Sequence, residues 1–246
     1  MKLRDDFIYF TGVCHETDTC FTFMNVLRQQ ESVEGFPGEA LPSTAFYFTK
    51  QGVTDWASLL SYGDMQETGV RTSDVRNRNR ELSHYLMENA GQELVACLFQ
   101  REDTLQEAAA VLSLSVSDVT EAERMLRSLI NTVSAEERGK TPLITFCYTA
   151  NKAYPVYRLP QTTLFTQLTG FAEPTSHTYA TFYEGRLLLA PDENSLSRYI
   201  RQLDKGEVLN GAIAYQTGMD NLSDSYHFMF CLLYTSPSPR DRSLSR

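Results

Sequence analysis

The two residues Glu184-Gly185, set between the apolar runs Thr178–Tyr183 and Arg186–Ala190, constrain the fold more than any other feature of the chain. Strands joined by two residues must pair as antiparallel neighbours, and a Gly supplies the positive φ that such a turn needs. Other β-branched and aromatic runs read as strands at Phe7–Val13, Thr44–Thr49, Glu93–Phe99, Ala109–Ser115, Leu143–Thr149, Tyr154–Leu159 and Ser225–Phe230.

Between them lie segments with helical spacing and capping residues. Phe21–Gln29 places Phe21, Met24 and Leu27 on one face. Thr54 or Asp55 opens a helix running to about Tyr62, and Ser73 or Asp74 opens one running to about Asn89, closed by Gly91. The apolar face of the latter is Val75, Leu82 and Leu86. Ser117 opens a helix with Val119, Ala122, Met125, Leu126 and Ile130 on one stripe. A short helix is expected near Thr163–Leu168, one at Ser195–Leu203 capped by Asp192 or Asn194 and closed by Gly206, and one at Gly211–Met219. Ser32–Ser43, with Gly35, Pro37, Gly38 and Pro42, reads as a linker or long loop. Antiparallel hairpins beside amphipathic helices, with no regular β-α-β alternation, predict an α+β fold of mainly antiparallel sheet. Asp6–Gly35 and Thr178–Gly211 echo each other as strand, turn, helix and acidic-glycine exit, with Leu27-Arg28-Gln29 beside Ile200-Arg201-Gln202, so a duplicated strand-turn-helix module is entertained.

The last sixteen residues, Cys231–Arg246, have no apolar periodicity after Tyr234. Cys231–Asp241 resembles one reading frame of a transposon-end sequencing adapter, and the natural chain is expected to break off near Phe230. The expected division is therefore residues 1–38 as the end of a preceding module or a first strand-helix unit, 39–230 as a truncated α+β domain, and 231–246 as a non-native tail. A strand cut short there is expected to leave an exposed apolar edge.

The formal net charge is −9, and becomes −11 without Arg240, Arg242, Arg246 and Asp241. Such a surface repels phosphate backbones and disfavours a nucleic-acid partner. A hydrophobic content of 42%, with 11% aromatic, suffices for a core and excludes the disordered class. No apolar run is long enough to span a membrane, and Met1–Asp6 does not open a signal peptide.

Motifs carrying chemistry are scarce. Gly139-Lys140-Thr141 lacks the glycine that a phosphate-binding loop needs at position 134 and precedes a strand rather than a helix. There is no Gly-x-Ser-x-Gly and no Ser-x-x-Lys. His15, His84, His177 and His227 sit in no paired zinc spacing, and Cys14-His15 with Cys20 lacks a fourth ligand nearby. Cys97 and Cys147 lie in apolar runs, where a thiol packs as a small hydrophobe; the redox state of the four cysteines Cys14, Cys20, Cys97 and Cys147 stays open. Arg71, Arg76, Arg78 and Arg80 spread around a helix beside acids and read as a solvated surface, with an acidic-ligand site as the alternative. Glu121, Glu123, Glu136 and Glu137 read as solvated helix faces. Asn221-Leu222-Ser223 matches a glycosylation triplet, Trp56 a core anchor, and Phe46–Phe48 with Tyr226–Phe230 sheet residues or a ligand platform. No catalytic, cofactor-binding or metal-binding residue is assigned, and no cofactor is expected.

Leu41-Pro42-Ser43-Thr44-Ala45, Gly91–Val95, the hairpin Tyr183–Ala190, the helix Ser195–Ile200 and Gly206-Glu207-Val208-Leu209 follow one another in an order that resembles the membrane-anchored, uncharacterised envelope proteins of Bacteroidota carrying domain of unknown function 3352. The resemblance implies an extracytoplasmic part behind one N-terminal anchor, missing from this fragment, and no established catalysis. The function expected is a non-enzymatic envelope module acting on a protein partner or assembly, with membrane contact only through that anchor. Two alternatives stand: a carrier of a lipid or hydrophobic ligand in a sheet-helix cavity, and an unrecognised enzyme using His15 or His177.

Overall fold

The computed structural model describes residues 2–4, 7–9, 21–66, 72–101, 104–131, 143–150, 152–171 and 177–233. Strands run β1 (Lys2–Arg4), β2 (Phe7–Tyr9), β3 (Val33–Glu34), β4 (Ala45–Gly52), β5 (Ala90–Arg101), β6 (Thr104–Val116), β7 (Ile144–Tyr148), β8 (Ala153–Arg158), β9 (Tyr179–Tyr183), β10 (Arg186–Ala190), β11 (Ser225–Tyr226) and β12 (Phe228–Leu232). Helices are α1 (Phe23–Arg28), α2 (Trp56–Gln66), α3 (Ser73–Asn89), α4 (Val119–Asn131), α5 (Leu164–Thr169), α6 (Glu193–Asp204) and α7 (Ile213–Met219). The fold is α+β, built on an antiparallel sheet ordered β12-β4-β5-β6-β10-β9-β8-β7.

Glu184 and Gly185 take φ of 45° and 77°, the left-handed pair a two-residue hairpin requires, and β9 and β10 pair directly across it. The β5–β6 hairpin fills the middle of the sheet. Its residues alternate strictly: Leu94, Ala96, Leu112 and Leu114 enter one core, Val95, Cys97, Phe99 and Val111 the other. On the first face lie α1, α2, α3, α4 and α5; on the second lie α6, α7 and the turns around Leu41 and Leu209. The amphipathic stripe on α4 buries Ala122, Leu126 and Ile130, and that on α6 buries Leu196, Tyr199 and Ile200. Fully burying such a side chain is worth about 1.5–3 kcal/mol.

Several local expectations shift by a residue or two. The N-cap of α3 is Thr72, whose hydroxyl accepts from Val75 N–H; that of α4 is Asp118, whose carboxylate accepts from Thr120 and Glu121. Of the candidates Thr54 or Asp55 and Asp192 or Asn194, it is Asp55 and Asp192 that cap α2 and α6. The segment Ser225–Phe230 is not one strand. It breaks at His227, so β11 pairs with β3 while β12 pairs with β4. Nor is Ser32–Ser43 a free linker: Leu41 is fully buried, Pro42 bridges to Val208, and Leu209 N–H donates to Leu41 C=O. Cys231 and Leu232 continue β12 opposite Phe48 and Tyr47, while residues 234–246 lie outside the described ones. So does most of the first half of the internal echo; of the helices it compares, α1 packs on the first face and α6 on the second.

Candidate functional site

The period-two alternation that fills the second face with Phe48, Val95 and Val111 also turns three charged side chains inward. Lys50 on β4, Glu93 on β5 and Arg186 on β10 meet there, with Ser113 of β6 between them. Lys50 is 4% exposed, and its Nζ donates to Glu93 Oε2 at 3.0 Å, Glu34 C=O at 2.9 Å and Gly35 C=O at 3.2 Å. Arg186 Nη1 donates to Glu93 Oε1 at 2.8 Å, and its Nε donates to Ser113 Oγ at 2.6 Å. Burial pushes the Glu93 carboxyl up, but Arg186 and Lys50 outweigh it and hold the group below the usual carboxylate range.

The cluster fastens peripheral chain to the sheet. Lys50 grips the carbonyls at the end of β3, where Tyr226 Oη also donates to Gly35 C=O at 2.5 Å and stacks on Phe36. Tyr199 of α6, its phenol pushed up by burial, donates to Ala40 C=O. Chemically this is a lock rather than a reaction centre. All three donors of Lys50 are engaged, both Glu93 oxygens accept, and Ser113 Oγ is turned to a guanidinium rather than to a base.

A second polar group lies at the rim of the first face. Tyr157 Oη donates to Glu123, which also accepts from Arg127 Nη2 at 2.8 Å, while the Arg127 guanidinium sits 5.3 Å from the Tyr157 ring centroid. Burial raises the Glu123 carboxyl, and the bonds from Tyr157 and Arg127 bring it below its ordinary range. Glu123 is thus not simply a solvated acid, whereas Glu121 pairs with Arg124 on the exposed surface.

The remaining candidates do not converge. His84 is exposed and pairs with Glu88 at 3.3 Å, one helical turn away. His177 is half-buried, its imidazole lowered by burial and by Arg158, and His227 is exposed. Cys97 and Cys147 are buried, and burial pushes the Cys97 thiol up. Trp56 anchors the first core, with Nε1 donating to Gly91 C=O at 3.1 Å. Arg76 and Arg80 are exposed and Arg78 half-buried; Asn221–Ser223 is exposed after α7. Cys14, His15, Cys20, Arg71, Glu136, Glu137 and Gly139-Lys140-Thr141 lie outside the described residues. Among the described residues no group of three His, Cys, Asp or Glu side chains could hold a metal ion, and no helix is long and apolar enough to cross a membrane. A cavity of about 10 Å³ lies between α3, α4, α5 and the sheet, lined by residues including Leu82, Leu86, Leu126 and Phe165.

The two outer strands present a different feature. Arg158 N–H donates to Leu143 C=O and Thr149 N–H to Lys152 C=O. The antiparallel pattern therefore turns the backbone of Thr145 and Cys147 toward β8, and that of Ile144, Phe146 and Tyr148 outward. These three side chains are also exposed, Tyr148 by 64%. At the opposite edge Gly52 N–H donates to His227 C=O and Leu233 N–H to Phe46 C=O, so Phe228, Phe230 and Leu232 turn their backbone outward. Phe230 and Leu232 are 63% and 71% exposed.

The inward-facing charges could have been found in the sequence. Lys50 stands two residues after Phe48 and Glu93 two before Val95, so each falls on a core-facing position of its strand. Which charges meet, however, depends on a strand order that no local pattern encodes. No family model, no curated protein and no solved structure matches this chain.

Proposed function

We propose that this chain is a non-enzymatic structural or interaction module that works through the edges of its sheet. The observation carrying this reading is that, among the described residues, both outer strands turn outward backbone that no neighbouring strand pairs, together with large apolar side chains. An edge of that kind, free of Lys or Pro, is a template for another strand. The charged side chains of the second face, by contrast, are consumed in holding the molecule together.

The test is a photo-crosslinking residue placed at Ile144 or at Phe228 of the protein in its host. Discrete adducts are expected from at least one edge, lost when Phe146→Lys or Phe230→Lys is added, with the melting temperature unchanged because both positions are exposed. Absence of adducts at both edges overturns the reading.

The resemblance to envelope proteins adds an extracytoplasmic, membrane-anchored setting as part of the proposal, tested by fractionating cells that carry the full-length gene. The carrier alternative requires a cavity of about 300 Å³ or more, and the one beneath α3–α5 has room for a single water. Of the histidines the enzyme alternative names, His177 lies near the cation Arg158 and His15 lies outside the described residues.

A further inference from the structure

We infer that the outer edge of β7 accepts an extended peptide segment alternating apolar and acidic residues, which adds a strand to the sheet; this rests on the module reading and names the partner chemistry. The two faces of this edge differ. On the first-face side Ile144, Phe146 and Tyr148 form an exposed apolar row, with the Phe146 and Tyr148 rings 6.3 Å apart. On the second-face side α6 runs alongside, its Ser197 carbonyl near Cys147 Sγ.

That side is basic although the chain as a whole carries −9. Residues 143–158, which build the β7–β8 hairpin, contain Lys152 and Arg158 and no acid. Along α6, Arg198, Arg201 and Lys205 follow at spacings of three and four, which places them on one stripe. Arg201 already reaches the edge: its Nε donates to the outward carbonyl of Tyr148 at 3.3 Å. Lys152 lies 4.0 Å from Glu184 and Lys205 4.0 Å from Glu207, Asp204 lies near Tyr154 and Tyr183, and Arg158 is buried, so the cation that acts at the edge itself is Arg201.

A strand laid along β7 points alternate side chains to the two faces. Apolar residues then cover Phe146 and its neighbours, and carboxylates on the other side meet Arg201 and the α6 stripe. A second copy of this chain does not supply them, because on that side its β7 would offer Thr145 and Cys147 and its β12 Met229 and Cys231. The β12 edge has no comparable basic side chain bonded to it among the described residues.

The probe is a short, end-blocked, fluorescent peptide alternating valine and glutamate, titrated into the full chain, with amide hydrogen exchange to locate it and a valine–lysine peptide as control. The glutamate peptide is expected to bind, to slow exchange at Ile144, Phe146 and Tyr148, and to weaken with salt. Arg201→Glu and Phe146→Lys should each weaken it about tenfold or more at unchanged melting temperature. Equal binding of the lysine peptide, protection at Phe228, Phe230 and Leu232 instead, or no binding overturns the inference while leaving the crosslinking test of the module reading intact. Dimerisation abolished by Phe146→Lys would make a second copy the occupant and overturn it as well. Absence of crosslinks at both edges, in contrast, removes both readings.

Discussion

The two faces of the sheet are closed by different physics. Among the described residues the first is covered by five helices over a mainly aliphatic and aromatic core, with its polar contacts few and local, as where Asn79 Oδ1 accepts from Thr162 Oγ1 and Thr163 N–H and where Tyr157, Glu123 and Arg127 meet at the rim. Among the described residues the second is covered by two helices and irregular chain, and there Lys50, Glu93, Arg186 and buried tyrosines tie down what those helices do not cover. Packing is non-directional and needs area. Charge-assisted hydrogen bonds are directional and hold a short ribbon such as β3–β11, which has little area to bury.

The largest expected effect breaks the second face. Glu93→Ala leaves Lys50 buried without its counter-ion and should cost about 3–5 kcal/mol in denaturant unfolding. Exchange of the Val33–Gly35 amides should rise with it, since Lys50 would lose its anchorage. A simultaneous Lys50→Met should recover part of that loss by removing the orphaned charge. Failure of the double variant to recover would mean that the carbonyls of Glu34 and Gly35, rather than the ion pair, set the cost.

Somewhat smaller is Leu126→Ala on the first face, where a fully buried side chain beside an existing cavity is removed. The expected loss is about 2–4 kcal/mol, with no selective change at β3. If both variants loosened the Val33–Gly35 amides equally, the contrast between the faces would be wrong.

The smallest effect is that of pH. The Glu93 and Glu123 carboxyls are both held below the usual value of 4.5 in the folded chain. Each therefore contributes stability that is present above that value and is lost as pH falls through the lower folded one. Acid titration of the unfolding free energy should show this loss, and Glu93→Gln should flatten its share of the slope while Glu123→Gln flattens the other. An unchanged slope in Glu93→Gln would show that the triad does not hold the carboxyl down.

The sequence by itself determined the hairpin at Glu184-Gly185, the stripe of α4, the α+β class, and the caps of α2 and α6 to one of two neighbouring candidates each. All are set by periodicity, turn chemistry or capping within about a dozen residues. It also placed a strand near Phe230 and foresaw an apolar edge. Only the tertiary structure decided that this segment splits at His227, because one half pairs with β3 and the other with β4. It likewise decided that the Gly- and Pro-rich stretch around Leu41 is threaded into a core, and that Lys50, Glu93 and Arg186 share one site. The contacts of that site join residues 43 and 93 positions apart in the chain, and their meeting follows from strand order, which long-range pairing sets and local propensity does not.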